Sequence, residues 1–117
     1  MIGGTISGCK NWGSIIEAST HWGISGGIAG YVLESARITG CSNAGTITYG
    51  YYSGGIAGLL QISTIDSCDN GETVSDGEWS GGIAGYVNAG TIKDCKNTGP
   101  VNADSSSQCS PIRRDCG

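Results

Sequence analysis

Gly26-Gly27-Ile28-Ala29-Gly30 recurs as Gly54–Gly58 and again as Gly81–Gly85, with starts 28 and 27 residues apart. A fixed period of this size marks a chain built from stacked copies of one small unit. Each copy buries its apolar face only against its neighbours. Between the glycine runs lies a second signature: Cys9-Lys-Asn11, Cys41-Ser-Asn43, Cys68-Asp-Asn70 and Cys95-Lys-Asn97. Ile6, Ile38, Ile65 and Ile92 each stand three residues before a Cys. Ile15, Ile47, Val74 and Val101 each stand four after an Asn. The Cys spacings are 32, 27 and 27, so the first copy is enlarged, mostly between Asn11 and Ser25.

The unit reads as strand, turn, strand, loop, strand. Its β-branched segments are too short for helices, and none shows apolar residues at i, i+3, i+4 and i+7 over three turns. The fold class expected is all-β: a short β-helix or β-solenoid of three to four coils of about 27 residues, with parallel ladders ~4.8 Å apart. The coils run over about 3–30, 36–58, 63–85 and 90–103 within a solenoid of residues 1–104. Residues 105–117 form a Cys-containing C-terminal cap. The Cys and Asn positions are expected to stack as structural ladders. Asn is assigned to left-handed turns, where its side chain reaches its equivalents above and below. The Gly pairs are assigned to backbone turns too tight for a Cβ.

Composition agrees. The chain has 22 Gly, no Phe and 14% charged residues. A thin column of Ile, Val, Ala and Cys can replace a globular interior. Gly does not fall at every third residue, which excludes collagen. The net charge of −4 argues against direct nucleic-acid binding, which needs a Lys/Arg footprint. No run approaches the ~20 apolar residues of a membrane span. Met1-Ile-Gly-Gly-Thr5 lacks the basic and apolar segments of a secretory signal. Two localisations follow: cytoplasmic for a stand-alone chain, extracellular or cell-surface for part of a longer exported protein.

Cys9, Cys41, Cys68 and Cys95 are expected to be reduced and buried, because stacked equivalents in a parallel ladder do not readily reach disulfide geometry. Cys109 and Cys116, outside the repeat, are a possible disulfide. The Cys spacings lack C-x₂-C pairs and the single His has no partner, so no metal is expected. No cofactor is expected either. With one His, no repeated acid pair and no phosphate-binding loop, catalytic residues are not assigned and an enzyme is not expected.

The Ile-x-x-Cys-x-Asn-x-Gly-x-Ile/Val unit with a following Gly-Gly-Ile-Ala-Gly-Tyr resembles the GLUG-motif repeats. Thr91-Ile-Lys-Asp-Cys-Lys-Asn-Thr-Gly-Pro-Val101 and Arg37-Ile-Thr-Gly-Cys-Ser-Asn-Ala-Gly-Thr-Ile47 carry the likeness. The resemblance spans residues 3 to about 103. It implies β-helical stalk or binding segments of bacterial surface or secreted proteins, adhesins among them, with no catalytic residue to carry over.

Candidate binding residues are the aromatics Trp12, His21, Trp22, Tyr51, Tyr52 and Trp79. Ile24, Tyr52 and Trp79 each stand two residues before a Gly pair, which places them in a line along one edge. Trp12, His21 and Tyr49 lie in loops that can lean toward it. Exposed rings in a row suit a sugar or a protein hot spot. The competing reading is that they lie flat and cover Gly-rich backbone. A second row, Tyr31, Leu59 and Tyr86, is expected to pack in the stack. Matching charges such as Asp66 with Lys93 and Asp69 with Lys96 are expected on the outside. The function expected is a non-enzymatic binding or scaffold module, adhesin-like, for a protein or carbohydrate partner. The alternative is a stand-alone acidic inhibitor or nucleic-acid mimic. Ice binding through Thr rows (Thr5, Thr64, Thr91) is a minor one. A homo-oligomer is compatible with bare coil ends.

Overall fold

The computed structural model describes residues 1–16, 23–48 and 50–103. It is all-β, with no helix among those residues. The chain runs first through β1 (Thr5–Ser7), β2 (Lys10–Asn11), β3 (Ile15–Ile16), β4 (Ile24–Gly26) and β5 (Ala29–Leu33). The same order repeats as β6 (Arg37–Thr39), β7 (Ser42–Asn43), β8 (Ile47–Thr48), β9 (Tyr52–Gly54) and β10 (Ala57–Gln61). It repeats again as β11 (Thr64–Asp66), β12 (Asp69–Asn70), β13 (Val74–Gly77), β14 (Trp79–Gly81) and β15 (Ala84–Asn88). Then follow β16 (Thr91–Lys93), β17 (Lys96–Asn97) and β18 (Val101–Ala103).

Equivalent strands stack in parallel into five sheets, among them β1-β6-β11-β16, β4-β9-β14 and β5-β10-β15. This is the pattern of a β-solenoid. The register pairs Ile6 with Ile38, Ile38 with Ile65, and Ile65 with Ile92. Ile38 and Ile65 are fully buried. They join Val32, Ile56, Leu60, Ile83 and Val87 in one narrow core. Burying each such side chain contributes about 1.5–3 kcal/mol.

The left-handed positions are not where the Asn residues are. They fall immediately before each Cys, at Gly8, Gly40, Ser67 and Asp94, all with φ between 52° and 64°. A second set follows the strand after each glycine run: Glu34, Ser35, Ile62 and Ala89. Asn11, Asn43, Asn70 and Asn97 lie in extended strands instead. Their side chains form a continuous ladder. Nδ2 of Asn11, Asn43 and Asn70 each donates to Oδ1 of the next Asn at 2.8 Å. Each Asn also donates to a carbonyl two residues on: Gly13, Gly45, Glu72 and Gly99. A short polar side chain that closes its own turn and reaches its neighbour satisfies groups that would otherwise be buried unpaired.

The ladder also explains the Gly pairs. Gly27, Gly55 and Gly82 carry no left-handed φ. A Cβ on Gly27 would come 2.6 Å from Asn43 Oδ1, one on Gly55 2.3 Å from Asn70 Cγ, and one on Gly82 2.2 Å from Asn97 Cγ. The second Gly of each pair is therefore glycine because the next coil closes on it. The Asn carboxamide fills the space its side chain would need, and for Gly27 and Gly55 the carbonyl oxygen of the stacked Gly lies closer still, at 2.3 and 2.2 Å. The first Gly of the pair meets its own turn, a Cβ on Gly26 lying 2.1 Å from Ala29 O and one on Gly54 2.0 Å from Ala57 O. The tight turn expected from sequence is thus present, and close approach between coils adds to it.

Candidate functional site

Sheets β4-β9-β14 and β5-β10-β15 meet at a corner, and Gly58 and Gly85 let it close. A Cβ on Gly58 would lie 2.9 Å from Ser25 N, and one on Gly85 2.7 Å from Ser53 N. Closure brings the two aromatic rows together. Tyr52 pairs in register with Ile24 and Trp79; Leu59 pairs with Tyr31 and Tyr86. Tyr52 and Tyr86 centroids are 5.3 Å apart, Trp79 and Tyr86 5.4 Å, and Tyr52 and Trp79 6.3 Å. Tyr51 packs edge-on against Tyr52 at 4.8 Å. These separations and tilts are those of favourable ring pairs. All four rings are half-buried. Burial, with Tyr51 and Tyr86 beside it, pushes the Tyr52 phenol above its ordinary value.

The structure thus unites Tyr51, Tyr52 and Trp79 and adds Tyr86, which the sequence assigned to packing. Two rows seven residues apart in the chain gave no signal that the corner would merge them. Within the second row only Leu59 is buried; Tyr31 is 40% exposed, its hydroxyl donating to Gln61 Oε1 at 3.0 Å. Trp12 sits apart and is 74% exposed, with the Lys10 ammonium 5.8 Å from its ring centroid. Among the described residues no ring contact joins Trp12 to the corner. His21, Trp22, Tyr49, Cys109 and Cys116 lie outside the described residues.

The Cys column is real as geometry. Cys9 N and Cys41 N each donate to the sulfur of the next Cys at 3.4 Å. Cys9, Cys41, Cys68 and Cys95 are free thiols, but the burial expected of all four holds only for Cys41 and Cys68. Cys9 is exposed and Cys95 partly so, because each ends the column and lacks a coil on one side. The Cys95 thiol and burial push the Cys68 thiol well up, so it stays protonated. A protonated, enclosed thiol is neither nucleophile nor metal ligand.

One charge expected on the outside is buried. Asp66 is 3% exposed. Its Oδ1 accepts from Thr39 Oγ1, and its Oδ2 from Arg37 Nη2 at 2.6 Å and Nε at 3.0 Å. The Thr39 hydroxyl first, then Arg37, holds its carboxyl below the usual value against the opposing effect of burial. Both donors come from β6, the strand beneath, which sequence spacing alone did not pair with it. The same strand sets Arg37 between Thr5 and Thr64 in register, which interrupts the Thr row.

No protein-family model, curated protein or solved structure matches this chain. No helix among the described residues is long and apolar enough to cross a membrane.

Proposed function

We propose that this chain is a non-enzymatic carbohydrate-binding module, a β-solenoid of three to four GLUG-like coils closed by the 105–117 tail. It would serve within an adhesin-like surface or secreted protein. The observation that carries this reading is the half-exposed cluster of Tyr51, Tyr52, Trp79 and Tyr86 at the corner. Tyr52, Trp79 and Tyr86 stand on strands of the stacked ladders, with Tyr51 in the bend just before β9, so the spacing of the three strand rings is set by the backbone. A rigid aromatic platform offers apolar ring faces to the C–H faces of sugars while the phenol and indole groups remain for hydroxyls. Rigidity limits the ordering cost on binding.

Glycan-array binding followed by calorimetry on the best ligand tests this. Trp79→Ala and Tyr86→Ala should each weaken binding at least ~10-fold, about 1.4 kcal/mol. Trp12→Ala, remote from the corner, should leave it unchanged. Binding that survives both corner substitutions, or no glycan binding at all, would overturn the reading.

A further inference from the structure

A groove of about 430 Å³ lies along the outer side of sheet β1-β6-β11-β16 and is lined by Ser35, Arg37, Thr64, Asp66, Thr91 and Lys93. None of these residues belongs to the aromatic corner. The register fixes their layout: Arg37 beside Thr64, Thr64 beside Thr91, and Asp66 beside Lys93. Asp66 forms part of the floor with both carboxylate oxygens already occupied by Thr39 and Arg37. Its charge is compensated within the wall. Lys93 is a second cation, near enough to Asp66 to help hold it ionised, and its ammonium makes no hydrogen bond to any described residue. Arg37 is held by two of its nitrogens on one oxygen yet remains about half exposed, with 54% of its side chain accessible. The chain carries a net charge of −4, so a groove whose lining of Arg37, Lys93 and Asp66 sums to a formal charge of +1 is a local exception. Glu34 and Asp94, the acids next in sequence to this lining, are exposed in turns and do not line it. The Thr64 and Thr91 hydroxyls, in register on adjacent strands, make no hydrogen bond among the described residues. The left-handed residues Ile62 and Ala89 supply an apolar wall.

From this arrangement we infer that the groove is a second binding site, for a carboxylate-bearing polyol such as a sugar acid. Lys93 and the exposed edge of Arg37 receive the carboxylate. The Thr64 and Thr91 hydroxyls meet ligand hydroxyls, and the ring face rests on Ile62 and Ala89. Charge-assisted contacts of this kind give the acid its preference over the neutral sugar. Asp66 is a positioning residue, because it fixes the Arg37 guanidinium.

Titration of the whole chain with D-glucuronate and, separately, with D-glucose, followed by ¹H–¹⁵N shifts, tests this. Glucuronate should shift amides around Lys93, Thr64 and Thr91, and glucose should not. Lys93→Met, which keeps the aliphatic stem and sits on the surface, should weaken glucuronate binding ~10-fold without changing the melting temperature. Raised salt should weaken it as well. Trp79→Ala should leave it intact, so failure here and failure at the aromatic corner can be told apart. Equal shifts with glucose, unchanged affinity in Lys93→Met, or no shifts in the groove would overturn the proposal.

Discussion

Replacing Asn43 with Ala should destabilise the fold far more than replacing Asn11, although both occupy the same place in the repeat. Asn43 is 2% exposed. Its carboxamide donates to Gly45 O at 2.7 Å and Asn70 Oδ1 at 2.8 Å, and accepts from Asn11 Nδ2 at 2.8 Å and Gly45 N at 3.2 Å. Every donor and acceptor of the side chain is used. At about 1 kcal/mol net for each bond, the loss is about 4 kcal/mol, since water does not reach the groups left behind. Asn11 makes three comparable bonds, to Gly13 O, Asn43 Oδ1 and Gly13 N. It stands at the end of the ladder, and Gly13 is exposed. Water replaces most of what Asn11→Ala removes, so the expected cost is about 1 kcal/mol. Thermal unfolding followed by circular dichroism measures both. For a chain of this size, about 4 °C per kcal/mol puts Asn43→Ala about 15 °C below the parent and Asn11→Ala within about 5 °C. Equal losses at the two sites would refute the reasoning, because burial of the ladder would then not set its worth.

Asp66 makes stability depend on acid. Its folded pKa lies below the ordinary value, chiefly through the Thr39 hydroxyl and then Arg37. A depressed carboxylate contributes stability that is present above its unfolded pKa of about 3.9 and is lost as pH falls through the lower, folded value. Urea midpoints should therefore drop below about pH 4, and Asp66→Asn should flatten that drop; an unchanged pH profile would contradict the ion pair. The thiols give a further test. Maleimide labelling with peptide mapping should modify exposed Cys9 readily, Cys95 more slowly, and Cys41 and Cys68 only after unfolding. Native labelling of Cys68 would contradict its enclosure.

The period of 27 to 28 residues and the Ile, Cys and Asn positions sufficed to place equivalent side chains over one another. A parallel ladder permits only one register in which every apolar column stays inside. The Asn conformation was misread for a physical reason. The side-chain ladder expected of Asn is present, but Asn is at home both in left-handed turns and in short extended strands, and a one-dimensional pattern does not distinguish those backbones. The left-handed backbone fell to the residue before each Cys, where Gly8, Gly40, Ser67 and Asp94 share no side-chain chemistry. The tight turn at the first Gly of each pair was legible, but the packing of the second Gly against the next coil was not. Gly27 is constrained by Asn43, 16 positions away in the chain.

The sequence by itself determined the strand content, the stacking and the identity of the core columns, because those depend on spacing along the chain. Only the tertiary structure decided which outer residues meet. The corner where Tyr86 joins Tyr52 and Trp79 depends on how two sheets fold against each other, as does the groove where Arg37 locks Asp66 beneath Lys93 on the pairing of strands. Contacts between different columns follow from the angle between sheets and the offset of neighbouring strands, and neither quantity is written in the repeat period.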